Sequence, residues 1–481
     1  MAVHTKHPVA APPTAPIRET TAHLMLRGWC IFVIAAAIAG TSWLMAFGAV
    51  GAGVVAFGSG IVSIGLWIAL APGLLWPRQW RRLPWFATLY VVWASASLLW
   101  TAYPSATTLT LLLLFTTTLQ ALFVGSVLTW RELVRAIASA LKWVLALSLL
   151  LELWVSLVWG GPMLPEFVRP EPGVKYDPIV YWVRDNLFDG GRLQGLFGGA
   201  NPLAYAALLG MVVFAIRFAE RAPHGRLLVG WFALAAFLFV RAGSATAWLA
   251  AAAVAVVLTT ALLMRTTRRA GERTRYYVAY AVVGIGGLAV LWLLRERVFA
   301  ALGRSSDLTG REGIWQEVWH RAIERPVLGW GFATPWVPTD PMFDGWIVDH
   351  GQTVMQAHNM WLDVFFQLGA IGVLLIALTF LAYVWRSWFF AIDRPRWDLV
   401  ADRPYSALTL LPTLAGAILL VQGLAESGPL LGWGWFFVVM LAFKIKQAPL
   451  VGRGASEERL LGEQGEPGER DARREPARAV R

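Results

Sequence analysis

Long apolar runs separated by short polar segments recur along nearly the whole chain. Each run is roughly 18 to 24 residues, enough to carry a helix across about 30 Å of hydrocarbon. Strands of a membrane barrel would be shorter and would alternate apolar with polar positions. The pattern predicts an all-α polytopic membrane protein of about twelve transmembrane helices, near 28–47, 53–75, 85–101, 107–128, 137–158, 202–218, 227–240, 244–264, 276–293, 359–385, 405–424 and 430–443. The junction at 240–244 is the weakest, because one broken helix there could replace two and invert everything downstream.

Charge sets the expected orientation. Short segments holding Arg78, Arg81 and Arg82, then Arg131 and Arg135, Arg217, Arg221 and Arg226, the five arginines of 265–275, and Arg386, Arg394 and Arg396 all fall on one side of twelve alternating spans. Positive residues flank the cytoplasmic ends of spans, so that side is read as cytoplasmic, with both termini there. Two long segments, about 159–201 and 294–358, then face outward, and function is expected there. Residues 1–24 read as a cytoplasmic tail, 25–445 as the membrane domain, and 446–481, polar and rich in Pro and Gly, as a disordered cytoplasmic tail.

Composition agrees: the chain is 57% hydrophobic and only 15% charged, against about one-quarter charged in soluble domains. The net charge of +11 is accounted for by the lipid bilayer, so no nucleic-acid partner is expected. Trp29, Trp76, Trp100, Trp159 and Trp385 near run ends suit interfacial anchoring. Cys30 is the only cysteine, so the outer segments must hold without an intramolecular disulfide.

Three stretches could carry chemistry. Gly190 to Pro202 (GGRLQGLFGGANP) brings a glycine-rich turn and Arg192 to the start of the sixth span, where Asn201 can cap and Pro202 can open the helix. Backbone N–H groups and a positive dipole end there could cradle a phosphate; a capped helix with Arg192 on lipid headgroups is the plainer alternative. In the second stretch, Thr309 and Glu312 have capping-box spacing. Ile314, Trp315, Val318, Trp319, Ala322 and Ile323 follow at helical spacing, predicting an amphipathic helix on the outer membrane face that Pro326 stops. Arg311 falls at the positive end of that helix, a costly place for a cation without an anionic partner. The third is Ala357-His358-Asn359-Met360-Trp361-Leu362. Histidine is the usual base for taking a proton from a hydroxyl, although His358 could equally be structural. Asp363 is badly angled to orient it, so an orienting partner must come from another element.

Inside the spans the ionisable residues are chiefly Lys142, Glu152, Asp363 and Glu426, and such groups are functional suspects. The three carboxylates lie toward the outer ends of their spans and form no midplane relay. No Walker A, His-Glu-x-x-His or Gly-x-Ser-x-Gly pattern occurs, and no metal site can be named.

Taken together, Arg192-x-x-Gly195-x-Phe197-x-x-x-Asn201-Pro202, then Gly310-Arg311-x-x-x-Trp315 with Pro326-Val327-Leu328-Gly329-Trp330-Gly331, then His358-Asn359-x-x-Leu362 ahead of Gly369-Ala370-Ile371-Gly372, resemble the O-antigen ligase and polymerase family. The resemblance implies a glycosyltransferase C-type membrane fold in the cytoplasmic (inner) membrane and no metal or cofactor. It implies transfer of a glycan from an undecaprenyl-diphosphate carrier to an acceptor hydroxyl, on a glycan or glycolipid, at the outer face. Arg192 and Arg311 map to the diphosphate, His358 to acceptor activation, and Asn201 and Asn359 to substrate binding. The family often carries Ser-Arg before a small residue and Trp, where this chain has Ser244-Ala245-Thr246-Ala247-Trp248; Arg241 is the expected substitute, on a similar helical face. A repeat-unit polymerase shares every one of these motifs. A transporter of lipid-linked oligosaccharide or solute is the rival of a different class, and would need a polar cavity open to both sides.

Overall fold

The computed structural model describes residues 21–70, 82–170, 174, 176–267, 270–294, 311–393 and 405–447. The predicted tail positions 1–20 and 448–481, Arg78, Arg81, Arg268, Arg269, Arg394, Arg396 and the capping residue Thr309 lie outside them. The described helices are α1 (Thr21–Ile38), α2 (Gly40–Leu70), α3 (Trp85–Ala96), α4 (Pro104–Val127), α5 (Trp130–Trp154), α6 (Ala200–Ala219), α7 (Gly225–Ala242), α8 (Ala245–Thr266), α9 (Ala270–Leu293), α10 (Arg311–Ala322), α11 (Met360–Ile392), α12 (Leu411–Ala425) and α13 (Trp433–Gln447).

Nine helical segments among the described residues are long and apolar enough to cross a membrane, so the chain is an all-α polytopic membrane protein. The other expected spans correspond to α3, α9 and α13, of which α3 with 12 residues and α13 with 15 are too short to cross alone. The first expected span is misplaced. Helix α1 begins at Thr21, and the run 28–47 straddles a turn at Ala39, with a further break inside α2 at Gly48. All of these positions are apolar or small, so hydropathy alone carries no trace of the break.

Local chemistry sets several ends. Thr129 and Glu132 form a reciprocal capping box at the start of α5, and Pro104 opens α4 at a position where its missing N–H costs nothing. At the doubtful junction, Gly243 is left-handed and the Ser244 side chain accepts the Ala247 N–H, so α7 ends and α8 begins as a separate helix. Helix α8 then runs back until Arg265 reaches the Ala391 carbonyl and Thr409. Of the helices long enough to span, α6 and α12 are the most buried, and the shorter α13 is buried along most of its length; α6 packs against α5, α7 and α12, and α8 lies along α12.

Residues 311–358 build a small lobe over one end of the bundle. Its core joins Ile314 and Val318 of α10 to Trp336 and Phe343, and to Tyr103 and Phe366 from the bundle. A two-residue hairpin pairs Val348 with Thr353 and Asp349 with Gln352. The apolar face expected on the membrane surface is therefore largely buried in this protein core: Val318 and Ala322 are fully covered, while Trp319 and Ile323 remain exposed.

The lobe is joined to α11 through peptide groups. At Gly369, with φ +64°, α11 leaves helical geometry, freeing carbonyls that an unbroken helix would bind internally. The Phe366 carbonyl accepts the Trp330 N–H at 3.0 Å, that of Gln367 accepts the Gly331 N–H at 2.8 Å, and the Pro326 carbonyl accepts the Ala370 N–H at 2.8 Å. Trp93 Nε1 donates to the Leu368 carbonyl at 3.1 Å. The approach is so close that a Cβ on Gly369 would lie 2.2 Å from the Val327 oxygen, and one on Gly329 would lie 2.4 Å from the Gln367 carbonyl. Both positions need glycine for space and for positive φ. Gly369→Ala is expected to destabilise the protein by more than about 1 kcal/mol. Gly230→Ala, which meets nothing within 4 Å, should leave thermal unfolding in detergent unchanged or raised. Equal unfolding temperatures for the two variants would reject this account.

Candidate functional site

The start of α6, the end of α12, the start of α10 and the segment before α11 meet at the end of the bundle under the lobe, around one carboxylate. Glu426 follows the last helical residue of α12 and is 9% exposed. Its Oε1 accepts Asn201 Nδ2 at 2.9 Å and Arg311 Nη2 at 3.0 Å. Its Oε2 accepts Gln356 Nε2 at 3.1 Å and meets His358 Nδ1 at 2.8 Å. A carboxylate offers about four acceptor positions, and here four separate side chains fill them.

Arg192 joins the same group one step out. Its Nη2 donates to Asn201 Oδ1 at 2.8 Å and its Nε to the Ala242 carbonyl at 2.9 Å. Arg311 also donates Nη1 to the Ala425 carbonyl at 2.7 Å. The cation at the start of α10 thus has its anionic partner in Glu426, 115 positions away in sequence. Helices place these groups at reach, but the partners come from elements that no local pattern connects.

Glu426 holds His358 in a defined state. With Nδ1–H donated to the carboxylate, the lone pair of the imidazole lies on Nε2, and the ring remains 28% exposed. The histidine backbone is itself unusual: φ is +50°, the left-handed region, which costs a non-glycine residue roughly 1–2 kcal/mol. The preceding residue is fastened on both faces. Trp315 Nε1 donates to the Ala357 carbonyl at 2.9 Å, and the Ala357 N–H reaches Asp363 Oδ2 at 3.4 Å. Asp363 also accepts Trp336 Nε1 at 2.9 Å and Gln367 Nε2 at 2.8 Å. It therefore places His358 through the chain rather than by touching the ring.

Several expected roles change. Asn201 does not cap α6: Gly199 occupies the cap position and Asn201 lies within the helix, bridging Arg192 and Glu426. Asn359 does cap α11, its Oδ1 accepting the Trp361 and Leu362 N–H groups at 3.0 and 3.2 Å. Arg241 shares no helical face with Ala245, because the turn at Gly243 and Ser244 separates the two helices. Its Nη2 donates to the Asn186 and Leu187 carbonyls at 2.8 and 2.9 Å. Two N–H groups of the glycine-rich turn are taken up inside the protein: Glu152 Oε1 accepts from Gln194 and Gly195, both at 2.8 Å.

No group of three or more His, Cys, Asp or Glu side chains among the described residues is placed to hold a metal ion. Burial alone would raise the Glu426 carboxyl, but the hydrogen bond and charge of His358 and the charge of Arg311 outweigh it and hold it below the usual carboxylate range. Stability from a depressed carboxyl is complete above the unfolded value of about 4.3 and is lost as pH falls through the lower folded value. The thermal stability gap between wild type and Glu426→Gln should therefore shrink as pH is lowered below about 4. A gap that persists undiminished in that acid range would contradict this assignment.

Residues 230–377, from within α7 to the middle of α11, match the family model described as O-antigen ligase. That segment contains Arg241, Arg311, His358 and Asn359, and lies between Arg192 and Glu426 in the chain. The chain is also 26% identical over 243 residues to the exopolysaccharide production protein ExoQ of Rhizobium meliloti (strain 1021). The match covers 48% of this chain and 53% of that protein, so the chain spans about half the length of the relative it matches. The family match contains the second and third of the ordered motifs, those that begin at Gly310 and His358, while the first, at Arg192, lies outside it; both matches agree with the resemblance to O-antigen ligases.

Proposed function

We propose that this protein transfers a glycan from an undecaprenyl-diphosphate carrier to an acceptor hydroxyl at the outer face of the cytoplasmic membrane, without a metal ion. The observation that carries the reading is the convergence on Glu426 of His358 and Arg311 directly, and of Arg192 through Asn201. A base and two cations at one place are what such a transfer needs. A sugar hydroxyl is almost wholly protonated at neutral pH, so its oxygen becomes a nucleophile only as a base removes the proton. His358 Nε2 takes that proton, and Glu426 steadies the imidazolium that forms. The oxygen attacks the anomeric carbon while the bond from that carbon to the diphosphate breaks. Undecaprenyl diphosphate leaves with its charge met by Arg192 and Arg311, whose planar forks suit phosphate oxygens. Among the described residues, two of the five N–H donors of Arg311 are engaged. Attack from the face opposite the diphosphate inverts the anomeric centre.

The outward placement is supported by charge. Arg131, Arg135, Arg217, Arg265 and Arg273 lie at the ends of helices α5, α6, α8 and α9 remote from Glu426, and the positive-inside tendency supports a location of the Glu426 cluster on the opposite side. A second reading, polymerisation of repeat units with the growing glycan as acceptor, is favoured by the name of the relative, an exopolysaccharide production protein.

Purified protein supplied with an undecaprenyl-diphosphate oligosaccharide and envelope acceptors should release undecaprenyl diphosphate. A product ladder from donor alone would select the polymerase. His358→Ala should lower turnover by about 10²- to 10⁴-fold with donor binding retained, and normal turnover would remove the base assignment. Arg192→Ala and Arg311→Ala should each raise the donor KM about tenfold or more; unchanged donor affinity in both would remove the diphosphate roles.

A further inference from the structure

One wholly buried carboxylate has no part in the mechanism above. Glu152, in the last helical turn of α5, is 0% exposed. Its Oε1 takes the adjacent N–H groups of Gln194 and Gly195, while its Oε2 finds no hydrogen-bond partner among the described residues. Ser148, one turn earlier on the same face of α5, accepts the Leu196 N–H at 3.3 Å. Three consecutive peptide N–H groups of the glycine-rich turn therefore point into the bundle and end on α5. Burying a carboxylate with one oxygen unmatched is costly, and a neutral acceptor could satisfy the same two N–H groups at less cost.

The turn leads directly to Arg192. Gln194, whose backbone Glu152 holds, donates Nε2 to the Arg192 carbonyl at 2.6 Å and accepts the Arg184 N–H on Oε1 at 3.3 Å. Asn186 Nδ2 donates to the same Arg192 carbonyl at 3.0 Å, and the Leu193 N–H donates to the Arg241 carbonyl at 3.1 Å. The backbone on either side of Arg192 is thus fixed, and its guanidinium is left to bridge the Ala242 carbonyl and Asn201. If the acceptor on α5 is withdrawn, two adjacent buried N–H groups lose their partner and the turn must rotate to recover one. That rotation would carry Arg192, two residues away, out of line with Asn201 and Glu426.

We propose that Glu152 is a positioning residue for donor binding, acting on Arg192 through the Gln194–Gly195 peptide. The inference rests on the assignment of Arg192 to the donor diphosphate, and its test separates the two. The full-length protein and its Glu152→Ala, Glu152→Gln, Arg192→Ala and double Glu152→Ala/Arg192→Ala forms would be compared in detergent. Three quantities are read: amide hydrogen exchange of the 190–199 segment, donor KM, and kcat from released undecaprenyl diphosphate.

Glu152→Ala should exchange faster at Gln194 and Gly195 and raise the donor KM about tenfold, with kcat within about twofold. The double variant should bind donor no more weakly than Arg192→Ala, because both changes remove one interaction. Glu152→Gln keeps an amide oxygen beneath both N–H groups and should recover most of the affinity. Unchanged exchange in Glu152→Ala, multiplied losses in the double variant, or a fall in kcat with unchanged KM would each overturn the inference. If exchange rises while donor KM stays normal in both Glu152→Ala and Arg192→Ala, the turn is held as described and the diphosphate role of Arg192 falls instead. Should Glu152→Ala not fold, Glu152→Asp draws the acceptor back by one methylene, and a normal donor KM in that variant would equally overturn the proposal.

Discussion

Everything at the bundle end that bears on chemistry depends on the Glu426 carboxylate being fully ligated. In a site of low dielectric an ionised carboxylate is tolerable only when its lone pairs meet donors and its charge meets cations. Here the donors come from α6, α10 and the segment before α11, so a single side chain ties the lobe to the bundle. Removing any one donor leaves the remaining three around an under-compensated charge, which makes the four contacts a unit rather than a sum.

The same device recurs with a different target. Glu152 holds the segment between α5 and α6 by its peptide N–H groups, Asp363 holds Trp336, Gln367 and the residue before His358, and Glu426 joins Asn201 to side chains of the 311–358 lobe. A chain with one cysteine cannot staple these segments to its spans by intramolecular disulfides. Three carboxylates near one end of the spans serve that purpose and are directional in a way that apolar packing is not.

Much of this architecture was legible from residue order, because spans, charge asymmetry and motif order are local or periodic signals. The partners were not. Sequence reading found Glu426 as an ionisable group near a span end and His358 as a base in need of an orienting group, but the two are 68 residues apart and no periodicity relates them. The glycine-rich turn reads as a phosphate cradle from its composition, whereas the N–H groups of Gln194 and Gly195 turn inward to Glu152, a partner on another helix that no local pattern announces. Asn201 was misassigned because Asn before Pro is so good a cap signal, and the cap fell two residues earlier at Gly199. Gly329 and Gly369 were visible as parts of motifs, yet the reason for them, contact between two backbones, exists only once the chain is folded.

That backbone contact has a mechanical consequence. The lobe is seated on α11 through amide and carbonyl groups of 326–331 and 366–370, which have no rotamers to change and almost no slack. Tension applied to the lobe would be borne by the main chain of a membrane helix, so the first turns of α11 and the lobe should travel as one body.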